Sequence, residues 1–117
     1  MNAIKVLLAD DHPIVREGLR AYLYTQRSLT VVGEAVDGMD VLEKTSRLEP
    51  DIVLMDIAMP RMDGLTAARR LRKTCPTVRV VMLTGSDVIA DQNRAREVGA
   101  RYLRKDALDD LANELCA

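Results

Sequence analysis

Aromatic residues are scarce in this sequence of 117 residues: tryptophan and phenylalanine are absent, and there are three tyrosines. A hydrophobic core must therefore be aliphatic and rich in sulfur, because large rings are not there to fill it. The sequence is 48% hydrophobic and 30% charged, which is typical of a soluble globular chain and not of a disordered or fibrous one. Its length fits a single domain that is large enough to bury a sizeable core.

An excess of positive charge is also lacking, because 17 basic residues face 18 acidic ones and the formal net charge is −1. Non-specific binding to nucleic acid depends on a basic surface, so we do not expect this segment to bind DNA directly. Cys75 and Cys116 lack the spacing of a metal site, and neither a signal peptide nor a long apolar run is present. We therefore expect a cytoplasmic protein with reduced thiols and no membrane partner.

Short β-branched runs alternate with longer segments of helical period along the whole chain. This alternation predicts an α/β fold in which crossover helices cover a parallel sheet. The predicted strands are mostly apolar without alternation, as expected for burial on both faces; they span residues 4–9, 29–35, 52–55 and 78–83, with a short fifth strand around Tyr102 and Leu103. Our hypothesis is a flavodoxin-like (βα)5 doubly wound sandwich over residues 1–117, with a five-stranded parallel sheet in the order 2-1-3-4-5.

Apolar residues recur at the spacing i, i+3, i+4, i+7 after four of the five strands, which predicts amphipathic helices. In the first helix Val15, Leu19 and Leu23 share a face, with Tyr22 at its rim and Arg16 turned away from it. The fourth helix, within residues 87–100, has only a broken apolar stripe, so we expect it to be the least firmly packed. The fifth is predicted from about residue 107 onward.

Polar residues follow four of the predicted strands, at the point where each strand ends. Asp10 and Asp11 follow the first strand, Asp56 the third, Thr84 the fourth and Lys105 the fifth. In open doubly wound sheets, ligands bind outside the carboxyl ends of the strands, where the strand order reverses. With the order 2-1-3-4-5, these four strand ends converge on one shallow pocket.

Three carboxylates in one pocket would force one of them to take up a proton, because neighbouring like charges raise the pKa of a carboxyl group. A divalent cation removes that need, and a few carboxylates, a main-chain carbonyl and retained waters suit Mg²⁺, which also binds phosphate oxygens. Lys105 supplies a second positive charge, and Thr84 a hydroxyl that can donate to an incoming anion. Phosphoryl transfer depends on such positioning and charge neutralisation, so Asp56 can act as a nucleophile that forms an aspartyl phosphate.

All of these residues except Thr84 lie in the segments DDHPIVREGL, DIVLMDIAMPRMDGL and YLRKDAL, in which the sequence resembles the receiver domain of two-component response regulators, in particular of the NarL/LuxR (FixJ) type. The resemblance extends over essentially the whole chain. It implies that Asp56 is the phosphoacceptor. It also implies that Asp11, Asp56 and the backbone carbonyl of Ala58 hold Mg²⁺, with Asp10 contributing mainly through a metal-bound water.

The same resemblance implies roles for three further residues. Lys105 would pair with Asp56 and then with the phosphoryl group. Thr84 and Tyr102 would form the switch, in which Thr84 moves towards the phosphate and the ring of Tyr102 turns inward behind it. The signalling surface would comprise the fourth helix, the fifth strand and the fifth helix.

Partners and context are implied by the resemblance as well. A sensor histidine kinase would donate the phosphoryl group from a phosphohistidine, and phosphorylation would control homodimerisation or an output domain, in transcription regulation. DNA would be contacted only through a C-terminal helix-turn-helix domain that is not within residues 1–117. We therefore expect a receiver domain excised from a longer protein.

Other functions predict different residues. A haloacid-dehalogenase-type phosphatase would place a second Asp two residues after the nucleophile, where this sequence has Ala58, so a dedicated turnover enzyme is not expected. A receiver-like module that no longer takes up phosphate would not need the full polar set, and an FMN-binding flavodoxin would need a Ser/Thr-rich loop where the sequence reads ADDHP. His12, the only histidine, is interpreted as a residue at the start of the first helix and not as a phosphate carrier or metal ligand.

Overall fold

The computed structural model describes residues 3–84, 89–104 and Leu115. Strands and helices alternate along these residues, and all strand pairs are parallel, in the order β2-β1-β3-β4-β5. The predicted fold class and strand order are therefore confirmed. The elements are β1 (Ile4–Ala9), α1 (Pro13–Tyr24), β2 (Leu29–Ala35), α2 (Gly38–Leu48), β3 (Ile52–Asp56), α3 (Gly64–Thr74), β4 (Arg79–Thr84), α4 (Ile89–Glu97) and β5 (Arg101–Arg104).

The sheet separates two hydrophobic clusters, because successive side chains of a strand point to opposite faces. In β1, Leu7 joins the cluster formed with α2, α3 and α4, whereas Val6 and Leu8 join the cluster formed with α1. All three side chains are fully buried. Burial on both faces explains why this strand reads as a continuous apolar run, as the sequence predicts.

The helices pack largely as their periodicity predicts. In α1, Leu19 and Leu23 are buried, and Val15 and Tyr22 pack against the same cluster. The described side chains of α4 are mostly exposed, apart from the buried Ala95 and the partly exposed Gln92, which agrees with its broken apolar stripe. The predicted fifth helix lies outside the described residues except for Leu115, which is helical and buried in the cluster with α1.

Three strand boundaries differ by one residue from the prediction: β4 begins at Arg79 and not at Val78, and both β3 and β4 end one residue later than predicted. Asp56 pairs with Leu83, and Thr84 pairs with Arg104, so each is the last residue of its strand and does not follow it. The reason is that the neighbouring strand continues far enough to extend the ladder by one step.

No helix in the described parts of the chain is long and apolar enough to cross a bilayer.

A buried carboxylate begins α2 and ties it to the loop after β3. Asp37 is the N-cap of α2, where its Oδ1 accepts a hydrogen bond from the backbone N–H of Asp40 (2.8 Å). Its Oδ2 accepts a hydrogen bond from Nε of Arg61 (2.7 Å). The backbone hydrogen bond from Asp40, and then Arg61, lower the pKa of Asp37 in spite of its burial.

We expect the Asp37→Asn variant to be less stable at neutral pH than the native chain by about 1 to 2 kcal/mol, because it loses a charged hydrogen-bond partner. A carboxyl group whose pKa is lowered by folding contributes stability above its unfolded pKa, near 3.8, and loses it as the pH falls through the folded pKa. The difference in unfolding free energy should therefore shrink below about pH 4.

Urea denaturation of both chains, near neutral pH and at about pH 3, measures this change. Glu43→Gln is the control, because Glu43 forms only an exposed pair with Arg47 at 3.8 Å. A stability difference for Asp37→Asn that is the same at both pH values would contradict the prediction.

Candidate functional site

The register of the sheet brings the predicted acidic residues together. Ala9 pairs with Met55 across β1 and β3, so the next residues, Asp10 and Asp56, lie level at the carboxyl ends of the two strands. Asp10, Asp11, His12 and Asp56 each offer a ligand atom, and these atoms all lie within 4.8 Å of one another. Asp10, Asp11 and Asp56 are called the acidic group below.

Burial divides the acidic group into a floor and a mouth. The side chain of Asp10 is 1% exposed and Asp56 is 5% exposed, whereas the side chain of Asp11 is 31% exposed. Oδ1 of Asp10 accepts a hydrogen bond from the backbone N–H of His12 (2.9 Å). Access from solvent is therefore on the side of Asp11.

The acidic group could hold a metal ion. Oδ1 of Asp11 is inaccessible to solvent and accepts no hydrogen bond within the described residues, although Nδ1 of His12 lies 3.1 Å from it. A buried carboxylate oxygen without a hydrogen bond is costly. A cation would satisfy it. Carboxylate oxygens are hard ligands and suit Mg²⁺ better than a softer metal.

His12 lies closer to the acidic group than the sequence indicated. It is the N-cap residue of α1, at the predicted place, but its ring makes no capping hydrogen bond. Its Nδ1 lies 3.0 Å from Oδ1 of Asp10 and 3.1 Å from Oδ1 of Asp11. The predicted position of His12 at the start of the first helix is therefore confirmed. The contact of its ring with Asp10 and Asp11 was not predicted, and it arises because α1 begins directly beyond the acidic pair.

Arg16 is a second residue that the sequence prediction missed. Its Nη1 donates a hydrogen bond to the backbone carbonyl of Asp10 (2.7 Å), and its Nε donates to Oε1 of Glu34 (3.3 Å). The sequence predicts only that Arg16 turns away from the apolar face of the first helix, whereas in the structure its side chain is 19% exposed and contacts β2 and the end of β1. The available signal was its position one helical turn after His12, which places it above the strand ends.

The backbone of Asp56 is held by a close approach of α3. The N–H of Gly64 donates to the carbonyl of Ile57 (2.8 Å), and the N–H of Ile57 donates to the carbonyl of Leu83 (3.2 Å). A Cβ atom at Gly64 would lie 2.3 Å from the carbonyl oxygen of Asp56. Only glycine therefore allows α3 to start this close to the end of β3.

The structure describes Ala58 and Tyr102 fully, but only part of Thr84 and nothing of Lys105. Ala58 is exposed in the loop after β3, and its N–H lies 3.4 Å from Oδ1 of Asp56. Tyr102 is half-buried in β5, where it pairs with Met82 and packs against the cluster with α2, α3 and α4. The backbone of Thr84 ends β4, but its side chain and the whole of Lys105 lie outside the described residues.

Comparison with known families and proteins agrees with the resemblance seen in the sequence. Residues 6–115 match the family described as the response regulator receiver domain. The chain is 40% identical, over 96% of its length, to the response regulator protein VraR of Staphylococcus saprophyticus, and 42% identical, over 93%, to the uncharacterized transcriptional regulatory protein YxjL of Bacillus subtilis. It covers 54% and 50% of these two proteins, so the chain spans about half the length of the curated relatives it matches.

Solved structures with similar folds are also receiver domains or response regulators. The signal receiver domain of the response regulator NarL from Mycobacterium tuberculosis has a TM-score of 0.91 at 32% identity, with 100% of this chain and 99% of that chain covered. A LuxR-family two-component response regulator from Aurantimonas has a TM-score of 0.90 at 32% identity, with 96% and 81% covered. The chain therefore belongs to the response regulator receiver domain family, and its relatives are of the NarL/LuxR type.

Proposed function

We propose that this chain is a phosphorylation-activated switch in which Asp56 accepts a phosphoryl group from a sensor histidine kinase. The observation that carries the proposal is the convergence of the ligand atoms of Asp10, Asp11 and Asp56 within 4.8 Å at the carboxyl ends of β1 and β3. Membership of the receiver domain family, which implies phosphorylation-dependent signalling, supports it. The resulting change would control dimerisation or an output domain in transcription regulation.

The exposure of the acidic group determines how a phosphoryl donor can reach Asp56. One carboxylate oxygen of Asp56 attacks the phosphorus of the phosphohistidine, the new O–P bond forms as the N–P bond breaks, and the departing imidazole ends as the neutral donor histidine after it takes up a proton. Asp56 is 5% exposed, so the donor has to approach through the mouth beside Asp11. This approach favours a donor presented on a protruding side chain of a partner protein.

Mg²⁺ would be held by Asp11, Asp56 and the backbone carbonyl of Ala58, with Asp10 contributing through a bound water. When bound, it would neutralise the charge of the carboxylates and of the phosphoryl oxygens. Asp10 keeps its place by accepting the hydrogen bond from the N–H of His12. Its buried carboxylate can then orient the water without meeting the phosphoryl group itself.

The proposed switch uses Lys105, Thr84 and Tyr102. Thr84 is the residue directly after Leu83, which pairs with Asp56, and Tyr102 pairs with Met82 on the other side of β4. This register supports a pathway in which phosphate at Asp56 attracts Thr84 and Lys105, and Tyr102 adjusts behind them. The surface formed by α4, β5 and the following segment would carry the change to a partner.

We propose a switch and not an enzyme of multiple turnover. Hydrolysis of an aspartyl phosphate needs a group that activates water beside the phosphorus. The residue two positions after Asp56 is Ala58, which offers no side-chain acid or base. The aspartyl phosphate would therefore persist long enough to act as a signal, in a cytoplasmic protein whose contact with DNA is made by a C-terminal helix-turn-helix domain.

Incubation with Mg²⁺ and acetyl phosphate should add a single phosphoryl group to the chain, as measured by intact mass. Asp56→Asn should take up none, because an amide oxygen is a much weaker nucleophile. Asp51→Asn is the matched control, since Asp51 is an exposed aspartate before β3. Steady release of phosphate over many turnovers would instead favour an enzyme, and no uptake by the native chain would favour a module that does not accept phosphate.

Asp11→Asn should weaken Mg²⁺ binding about tenfold or more, a loss of at least about 1.4 kcal/mol of binding free energy. Without Mg²⁺ the same variant should be more stable than the native chain, because one of the mutually repelling charges is gone. Calorimetric titration with Mg²⁺ and urea denaturation in metal-free buffer measure the two effects. Unchanged Mg²⁺ affinity would contradict the proposed ligand role of Asp11.

Phosphorylation should increase self-association, through α1 or through the last two helices. On α1, Ile14 is 83% exposed, and contact with a second copy would remove this apolar side chain from water. Sedimentation with and without beryllofluoride measures the change, and Ile14→Asp reports whether α1 is involved. Unchanged sedimentation of the native chain would contradict the prediction.

A further inference from the structure

The loop of residues 57–63, between β3 and α3, carries the carbonyl of Ala58, and its base is fixed to the sheet. The hydrogen bonds from Gly64 to Ile57 and from Ile57 to Leu83 close the two ends of the loop where it leaves and rejoins regular structure. Within the loop, the side chain of Met59 is 9% exposed and packs into the cluster with α2, α3 and α4. The part of the loop beyond Met59 needs a separate anchor.

That anchor is the amino end of α2. The N–H of Gly38 donates to the carbonyl of Met62 (2.9 Å), and a Cβ atom at Gly38 would lie 2.4 Å from the same oxygen. Beside it, Nε of Arg61 donates to Oδ2 of Asp37 (2.7 Å), and Nη2 of Arg61 lies 2.6 Å from that oxygen. Backbone and side-chain contacts therefore join the loop to α2 at adjacent positions.

The two partners of the ion pair differ in how firmly they are held. Asp37 is 4% exposed and its other oxygen caps α2, so it is a fixed point. Arg61 has a side chain that is 69% exposed and a backbone φ of 64°. The left-handed region costs a residue with a side chain about 1 to 2 kcal/mol, and the contacts with Asp37 offset that cost.

We infer that the Asp37–Arg61 pair positions the loop of residues 57–63 for Mg²⁺ binding, so that Arg61 is a positioning residue of the acidic site although it is not a ligand. The inference rests on the proposed function, because it concerns the loop carbonyl of Ala58. Asp10 and Asp56 are held by the sheet and do not depend on the pair. Loss of the pair therefore leaves the carboxylates in place and loosens the loop beyond Met59, so that the segment with the carbonyl of Ala58 is then held from the side of Ile57 and Met59 alone.

Arg61→Gln tests the inference, because it removes the charge but keeps a polar side chain. We expect its Mg²⁺ affinity to fall about tenfold, the range found for residues that orient metal ligands, and its rate of phosphoryl uptake from acetyl phosphate to fall at equal Mg²⁺. Arg61→Lys should recover part of both losses. The matched control is Arg47→Gln, whose pair with Glu43 spans 3.8 Å on the exposed face of α2.

Arg61→Gly separates positioning from backbone strain, since glycine adopts a φ of 64° without cost. We expect it to bind Mg²⁺ as weakly as Arg61→Gln, while its stability in metal-free buffer stays closer to that of the native chain. Native affinity in Arg61→Gly would overturn the inference. Urea denaturation of all variants without Mg²⁺ provides the stability values.

The outcomes distinguish the inference from the proposed function. If the native chain binds Mg²⁺ and takes up phosphate, but Arg61→Gln does both equally well, the inference is overturned and the proposed function stands. A variant that loses stability alone, with native Mg²⁺ affinity, also overturns it, because the pair is then only structural. Failure of the native chain to bind Mg²⁺ would overturn both.

Discussion

The carboxylates of Asp10, Asp11 and Asp56 repel one another, and the hydrophobic core keeps them together. Two like charges about 4 Å apart repel by about 4 kcal/mol at an effective dielectric of about 20, and water screens little here, because Asp10 and Asp56 are at most 5% exposed. The two residues cannot separate, since each adjoins or ends a strand that is buried on both faces. The hydrophobic core therefore maintains an electrostatic cost that binding of a cation relieves.

Groups on the first turn of α1 already reduce that cost within the chain. The N–H of His12 donates to Oδ1 of Asp10, and Nη1 of Arg16 donates to the carbonyl of the same residue. The acidic group is therefore coupled to the helix that also carries the exposed Ile14.

The sequence allows the acidic floor to be predicted, because parallel strands end at one edge and the polar residues after them must meet there. Asp10 and Asp56 are level for that reason. Arg16 and the Asp37–Arg61 pair could not be found in this way, since helical periodicity assigns Arg16 to the outer face and nothing local joins residues 24 positions apart. Both depend on how a helix or loop lies over the strand ends. The sequence also predicts the ends of β3 and β4 one residue too early, because the end of a strand depends on how far the strand beside it continues.

Two kinds of support hold the proposed ligands, and they respond differently to substitution. The carboxylates of Asp10 and Asp56 are held by the sheet, so a change beneath them, for example at the buried Met55, alters stability and metal affinity together. The carbonyl of Ala58 is held by a loop whose outer anchor is an arginine with a side chain that is 69% exposed. This anchor is an ion pair outside the hydrophobic core, so the loop can change the strength of metal binding while the core keeps the carboxylates in register. Affinity and stability should therefore be separable in this domain, because one of the proposed ligands lies beyond the end of the sheet.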